Sequence, residues 1–165
     1  MKSTSITVRL AASALAATLA LAPLPAYAGH YRLPVANFIS DGEAQALSKA
    51  GIKTTLALLD EVKTAAQRKR VAQLSGLAAA RVDELARQVD LLRIDGIGPG
   101  VVRLLNAAGV AHPKALGGED AAALLARMTA ANAGAKYTNV LPQEAQLAAW
   151  VAAARQLSPA IEGLL

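Results

Sequence analysis

The clearest candidate for chemistry is a set of backbone N–H groups at the expected start of a helix. Pro99 has a fixed φ and no N–H, and proline is common at the first position of a helix. N–H groups at such a position have no acceptor within the helix, and the positive end of the helix dipole favours an anion there. The sequence therefore offers a candidate phosphate site with two nearby cations, formed by Gly96, Gly98, Gly100, Val101, Arg93 and Arg103.

The competing interpretation is that these residues only form a tight corner between two packed helices. Gly96 and Gly98 bracket Ile97, and we expect both glycines to adopt a positive φ while Ile97 fills the core. The following helix is apolar around much of its circumference, which suits burial. The sequence favours this corner over an anion site, because only two cations lie nearby.

A second candidate for chemistry is a basic cluster. It could contact phosphates or acidic lipids, although a run of three charges is more often an exposed helix face. Its members are Lys63, Arg68, Lys69 and Arg70.

Catalytic and metal chemistry have little support in the sequence. The two histidines, His30 and His112, have no neighbours at ligand spacing, and the chain has no cysteine. Its Ser, Asp and His residues form no recognisable nucleophile motif. We therefore expect a protein that is not an enzyme and that holds no metal or cofactor.

The first 28 residues have the three parts of a secretory signal peptide. Lys2 and Arg9 form a basic start, Leu10 to Leu21 is apolar, and Ala26-Tyr27-Ala28 is a cleavage motif of small residues. The apolar run is shorter than the ~20 residues that a membrane anchor needs. We expect cleavage after Ala28, a periplasmic or secreted product, and no membrane span in that product.

Residues 29–165 are long enough to bury the core of one domain. The whole chain carries 17 basic and 12 acidic residues, and removal of Lys2 and Arg9 would lower the net charge from +5 to +3. This small excess does not by itself indicate nucleic-acid binding. Aromatic residues are only 3% of the chain, which leaves few platforms for base stacking.

The pattern of apolar residues, caps and glycines predicts an all-α fold. Ser40 with Glu43 and Thr64 with Gln67 are capping boxes, and Trp150 is expected to anchor the core. A loop is predicted at 132–141. The predicted helices run from Ser40 to Ala50, from Thr54 or Thr55 through Val62, from Thr64 to about Leu74, from Ala78 to Leu92, from Pro99 to Ala108, around Leu116, from Glu119 to about Ala131, and from Pro142 to Leu157.

The chain also contains a weak internal repeat. Leu47–Ile52 matches Leu105–Val110, and this register aligns Ser40 with Gly98. Two related helical units would share one core. We predict repeat-like units at about 33–92 and 93–157.

Two resemblances extend this interpretation. The stretch Leu91–Leu105, in which apolar residues alternate with Gly96 and Gly98 before a helix, resembles the helix-hairpin-helix motif. The longer pattern from Tyr31 to Leu157, most specific over Asp90 to Val110, resembles the bacterial family catalogued as domain of unknown function 4332. That resemblance implies two tandem helix-hairpin-helix-like units packed into one compact domain, and it implies no assigned activity.

The helix-hairpin-helix resemblance implies that N–H groups of the hairpin hold a nucleic-acid phosphate. DNA-binding members commonly carry Lys or Arg just after the proline, where this chain has Gly100. In the first unit, Ser40, Asp41 and Glu43 fill the equivalent helix start with acceptors and negative charge. The sequence favours an exported, non-catalytic interaction or scaffold module whose partner is another protein. The alternative is weak, non-specific DNA binding through Gly96-Ile97-Gly98.

Overall fold

The predicted all-α class is confirmed in the computed structural model, which describes residues 30–164. The predicted signal peptide and its cleavage site after Ala28 lie outside the described residues. A 3-10 turn at Leu33–Val35 precedes the first helix. The helices are α1 (Asp41–Lys49), α2 (Thr55–Glu61), α3 (Ala65–Ser75), α4 (Ala79–Leu91), α5 (Pro99–Ala107), α6 (Pro113–Gly117), α7 (Ala121–Ala135) and α8 (Glu144–Gln156). Within residues 30–164, no helix has the length and apolar character to cross a membrane.

Short polar side chains cap α1, α2 and α3, as the sequence predicts, whereas α4 begins after Ala78 without a side-chain cap. Ser40 Oγ accepts a hydrogen bond from the Glu43 N–H at 3.3 Å, and Glu43 Oε2 accepts one from the Ser40 N–H at 2.8 Å. Thr64 and Gln67 form the second capping box. These caps satisfy N–H groups that have no acceptor within their own helix.

The capping residue Glu43 also ties α1 to α4. Arg81 Nε on α4 donates to Glu43 Oε1 at 2.6 Å, and Arg81 Nη2 donates to the Phe38 carbonyl oxygen at 2.7 Å. The hydrogen bond from Arg81 lowers the pKa of Glu43 to about 2. Glu43 is therefore ionised at neutral pH. Its negative charge disfavours a second anion at the start of α1.

The two halves of the described chain repeat the same local structure at an offset of 58 residues, the separation of Ser40 from Gly98. Helices α1 and α5 have the same length and correspond residue for residue. Each ends on a glycine in the left-handed region, Gly51 with φ +89° and Gly109 with φ +87°. The residue after each glycine donates back to the helix, at 2.9 Å in the first half and 2.8 Å in the second.

Packing repeats at the same offset. Helix α1 packs on α3 as α5 packs on α7, α2 packs on α4 as α6 packs on α8, and α3 packs on α4 as α7 packs on α8. Equivalent side chains fill the core, since Leu58 and Leu116 are both fully buried. The buried apolar residues of the two halves form one continuous core.

The predicted start and end of α7 are wrong. The helix begins after Asp120, whose Oδ1 accepts from the Ala123 N–H at 2.9 Å, and it continues to Ala135. Asn132 was expected to open a loop, but it lies inside the helix and exchanges two 3.0 Å hydrogen bonds with Thr138. Its side chain thus stabilises the turn that follows, which Lys136 starts with φ +46°.

The predicted start of α8 is also wrong. Helix α8 begins at Glu144, because Gln143 is extended with ψ 157° and acts as its N-cap. Pro142 therefore precedes the helix, and its side chain is buried. The loop predicted at 132–141 therefore lies at 136–143. The carbonyl oxygen of Tyr137 in this loop lies close to Gly100 at the start of α5, in the candidate site.

Candidate functional site

The hairpin, residues 91–105, joins α4 to α5 through one left-handed glycine rather than two. Gly96 has φ +80°, as predicted. Gly98 has φ −97° and ψ 174°, extended backbone that any residue adopts, so the prediction of a positive φ there is wrong. The physical reason is that Gly98 is the N-cap of α5, and N-cap residues take angles of the β region. Ser40 has similar angles at the equivalent N-cap of α1.

Three distant parts of the chain pack against the hairpin. A Cβ at Gly96 would lie 3.1 Å from Trp150 Nε1, one at Gly98 would lie 3.4 Å from the Tyr31 hydroxyl, and one at Gly100 would lie 3.4 Å from the carbonyl oxygen of Tyr137. Two of these neighbours are oxygen atoms beside the first turn of α5. The start of α5 therefore lies against other parts of the same chain.

The apolar residues of the hairpin lie in the core, as predicted. Ile97 is 2% exposed, and Trp150 is 4% exposed. Val101 is half-buried, and Val102, Leu104 and Leu105 are buried. These apolar side chains of α5 are thus buried or half-buried, which agrees with the expected burial.

The structure does not bring the two candidate cations together. Arg93 Nη1 donates to Asp90 Oδ1 at 2.7 Å and to the Ser158 carbonyl oxygen at 3.1 Å. Arg103 lies over the ring of Tyr137, with its guanidinium carbon 5.2 Å from the ring centroid, a distance typical of a cation–π contact. The two arginines line different cavities. They do not form one binding site at the hairpin.

The expected basic cluster is not one exposed face. Arg68 is only 6% exposed and donates to Asp83 Oδ1 at 2.7 Å and to the Glu162 carbonyl oxygen at 2.9 Å. Lys63 pairs with Asp60 at 2.8 Å. Lys69 and Arg70 are exposed, but they line separate hollows. The cluster therefore divides into one structural arginine and three surface cations.

His112 has a local structural role that its spacing did not indicate. Its Nδ1 accepts from the Ala115 N–H at 3.1 Å and caps α6. Burial lowers the pKa of His112, and Arg87 lowers it further. The lowered pKa favours the neutral ring that can cap a helix. In the described part of the chain, no three His, Cys, Asp or Glu side chains lie close enough together to hold a metal ion.

Sequence reasoning missed a cavity formed where α6 meets the ends of α4 and α8. Its volume is about 360 Å³. The residues that face it are far apart in sequence, and no spacing signal connects them. Its charged members are Asp90, Arg93, Lys114 and Arg155.

A wider groove also lies between α4 and α5. Arg81, Arg103 and Tyr137 line it, together with Gln88, which is 5% exposed. Gln88 Nε2 donates to Glu84 Oε1 at 3.1 Å, whereas Gln88 Oε1 has no hydrogen-bond partner among the described residues. That oxygen is buried, and the groove also contains the ion pairs of Arg81 with Glu43 and Glu84.

Comparison with known proteins gives one result. The family model described as Domain of unknown function (DUF4332) matches residues 37–157, a segment that contains α1 to α8 and the hairpin. No curated protein and no solved structure was found to be similar to the chain.

Proposed function

The chain belongs to the family described as Domain of unknown function (DUF4332), and from this premise we propose that it is an exported, non-catalytic scaffold or interaction module. In this proposal its two halves are helix-hairpin-helix-like units and its partner is another protein. The observation that carries the proposal is the internal use of the hairpin. Gly96, Gly98 and Gly100 each face another part of the same chain, at 3.1–3.4 Å from the position a Cβ would take. A hairpin used in this way serves as a joint between the two halves.

The charge distribution also supports a protein partner over DNA. Arg68, Arg81 and Arg93 are each held by a carboxylate within the protein. These three guanidinium groups are therefore less available to neutralise phosphates, and affinity for the DNA backbone depends on how many phosphates are neutralised. Of the two cations in the hairpin, Arg93 is paired with Asp90, and only Arg103 has no carboxylate within salt-bridge distance among the described residues.

Weak, non-specific DNA binding is the second candidate. It is favoured by the half-buried start of α5, whose first N–H groups have no acceptor within the helix, and by Arg103 one turn further along. Both candidate functions place the protein outside the cytoplasm. The proposal of export depends on the signal-like features of residues 1–28.

We expect residues 29–165, used as bait in an envelope extract, to retain the same protein partners with and without nuclease treatment. Nuclease removes only partners that are bridged by nucleic acid. The Arg103→Ala bait is the matched control, since Arg103 makes no ion pair within the described residues and its loss should leave the fold intact. Capture should also survive in this variant. If nuclease or Arg103→Ala abolished all capture, the DNA candidate would replace the scaffold proposal.

A further inference from the structure

The cavity between α6 and the ends of α4 and α8 has the size and lining of a small-molecule site. Its volume of about 360 Å³ lies within the range of ligand pockets, about 300–1,000 Å³. Apolar walls combined with a few polar groups are typical of such sites. The apolar wall consists of Pro113, Ala154, Leu157 and Pro159.

A close approach of α6 to α8 shapes the cavity. A Cβ at Gly117 would lie 3.3 Å from Arg155 Cγ and 3.4 Å from the Arg155 backbone nitrogen. Arg155 Nε donates to the Gly117 carbonyl oxygen at 2.7 Å. This hydrogen bond uses only Nε of the Arg155 guanidinium. The two terminal nitrogens, Nη1 and Nη2, remain to donate to another acceptor.

Positive charge exceeds negative charge around the cavity. Of the four charged residues in its lining, three are cations, Arg93, Lys114 and Arg155, and one is the acid Asp90. Asp90 pairs with Arg93 and is only 2% exposed. Lys114 and Arg155 have no carboxylate within salt-bridge distance among residues 30–164. Two exposed cations without a carboxylate partner therefore line the same cavity.

We propose that this cavity binds a small organic anion with one carboxylate or phosphate head group and a short apolar body. Lys114 and Arg155 hold the head group, because a charge-assisted hydrogen bond is about twice as strong as a neutral one. The apolar wall accepts the body. Asp90 Oδ1 lies 2.7 Å from Arg93 Nη1, so this ion pair balances the charge of the acid and limits its repulsion of an anion. The site shares only Arg93 with the hairpin, and its occupancy does not depend on the scaffold proposal.

Titration with benzoate, followed by amide chemical shifts of residues 29–165, tests the site. We expect saturable shifts at Lys114, Gly117 and Gly118, which line the cavity. Phenyl phosphate distinguishes a phosphate from a carboxylate head group. Benzamide, which has the same shape without the charge, and inorganic phosphate, which lacks the apolar body, should each bind at least about tenfold more weakly, a difference of ~1.4 kcal/mol.

Substitutions locate the binding. Lys114→Gln should weaken benzoate binding by about tenfold, since it removes one of two charge partners. Arg155→Gln should do the same, and Lys114→Gln remains informative if loss of the Gly117 bond affects folding. Lys69→Gln, an exposed cation outside the cavity, is the matched control and should bind as the unaltered protein does. Absence of shifts at about 10 mM benzoate, equal binding of benzamide, or insensitivity to Lys114→Gln would each overturn the proposal.

Discussion

Replacing Arg68 with alanine is expected to lower the free energy of unfolding by about 2–4 kcal/mol, because it removes the hydrogen bonds of one guanidinium to four buried or partly buried acceptors. Arg68 Nη1 donates to the carbonyl oxygens of Val62 and Lys63 at 3.2 and 3.3 Å, in addition to its bonds to Asp83 and Glu162. One guanidinium thus joins the end of α2, the start of α4 and the C-terminal segment. Urea denaturation monitored by circular dichroism measures the loss.

Two variants separate this network from simple loss of charge. Arg70→Ala removes an exposed cation from the same helix and should change stability by less than about 0.5 kcal/mol. Arg68→Lys keeps the charge but loses the planar fork that reaches four acceptors, so most of the destabilisation should remain. If Arg68→Ala were as mild as Arg70→Ala, the buried network would not contribute as described.

Replacing Gly96 with alanine is expected to cost about 1–3 kcal/mol, since the new Cβ meets both an unfavourable φ and the Trp150 indole. The φ at Gly96 is +80°, and the Cβ would lie 3.1 Å from Trp150 Nε1. Trp150 is the single tryptophan of the chain, so its fluorescence reports directly on this contact. A shift in emission should accompany the lower unfolding midpoint.

The other hairpin and helix-end glycines provide controls for Gly96. Gly109→Ala also places a Cβ on a residue with a positive φ, +87°, but no atom lies within 4 Å of that Cβ. It should therefore lower the free energy of unfolding by about 1 kcal/mol and leave the Trp150 emission unchanged. Gly98→Ala has extended backbone and an ordinary 3.4 Å contact, and should cost less than about 0.5 kcal/mol. Equal effects of Gly96→Ala and Gly98→Ala would contradict the hairpin geometry.

Features encoded by a few neighbouring residues could be predicted from the sequence. The capping boxes at Ser40 and Thr64 depend on side chains that reach only three residues along the chain. The glycines that end α1 and α5 depend on one backbone conformation. The alignment of Leu47–Ile52 with Leu105–Val110 follows from such local signals, and both segments indeed end in the same hydrogen bond.

Features that depend on how distant helices approach could not be predicted in the same way. In the sequence, Arg68 cannot be distinguished from the exposed basic residues beside it. Its burial depends on hydrogen bonds to Asp83 and Glu162, which are distant along the chain. Lys114 and Arg155 share a cavity because Gly117 allows α6 to approach α8 closely, a contact across 38 positions of the chain. The candidate anion site at the hairpin, in contrast, can be recognised from the sequence because its residues are close together along the chain.

The central claim is that the hairpin is a structural joint and does not bind nucleic-acid phosphates. Fluorescence anisotropy of residues 29–165 with a labelled duplex of about 25 base pairs tests it most directly, since that length gives two to three helical turns. We expect no binding at about 150 mM salt. At low salt, any weak binding through the hairpin should fall with a slope no steeper than about −2 to −3 in log affinity against log salt, since Arg93 and Arg103 are the two cations within residues 91–105.

A second set of duplex titrations assigns any binding that does occur to its site. Arg93→Ala plus Arg103→Ala removes the cations near the hairpin, whereas Lys69→Ala plus Arg70→Ala removes exposed cations away from it. We expect neither pair of changes to alter the anisotropy of the duplex at about 150 mM salt, because the unaltered protein should not bind there. Binding tighter than about 1 μM that persists at that salt, survives in the Lys69→Ala plus Arg70→Ala variant and disappears in the Arg93→Ala plus Arg103→Ala variant would contradict it.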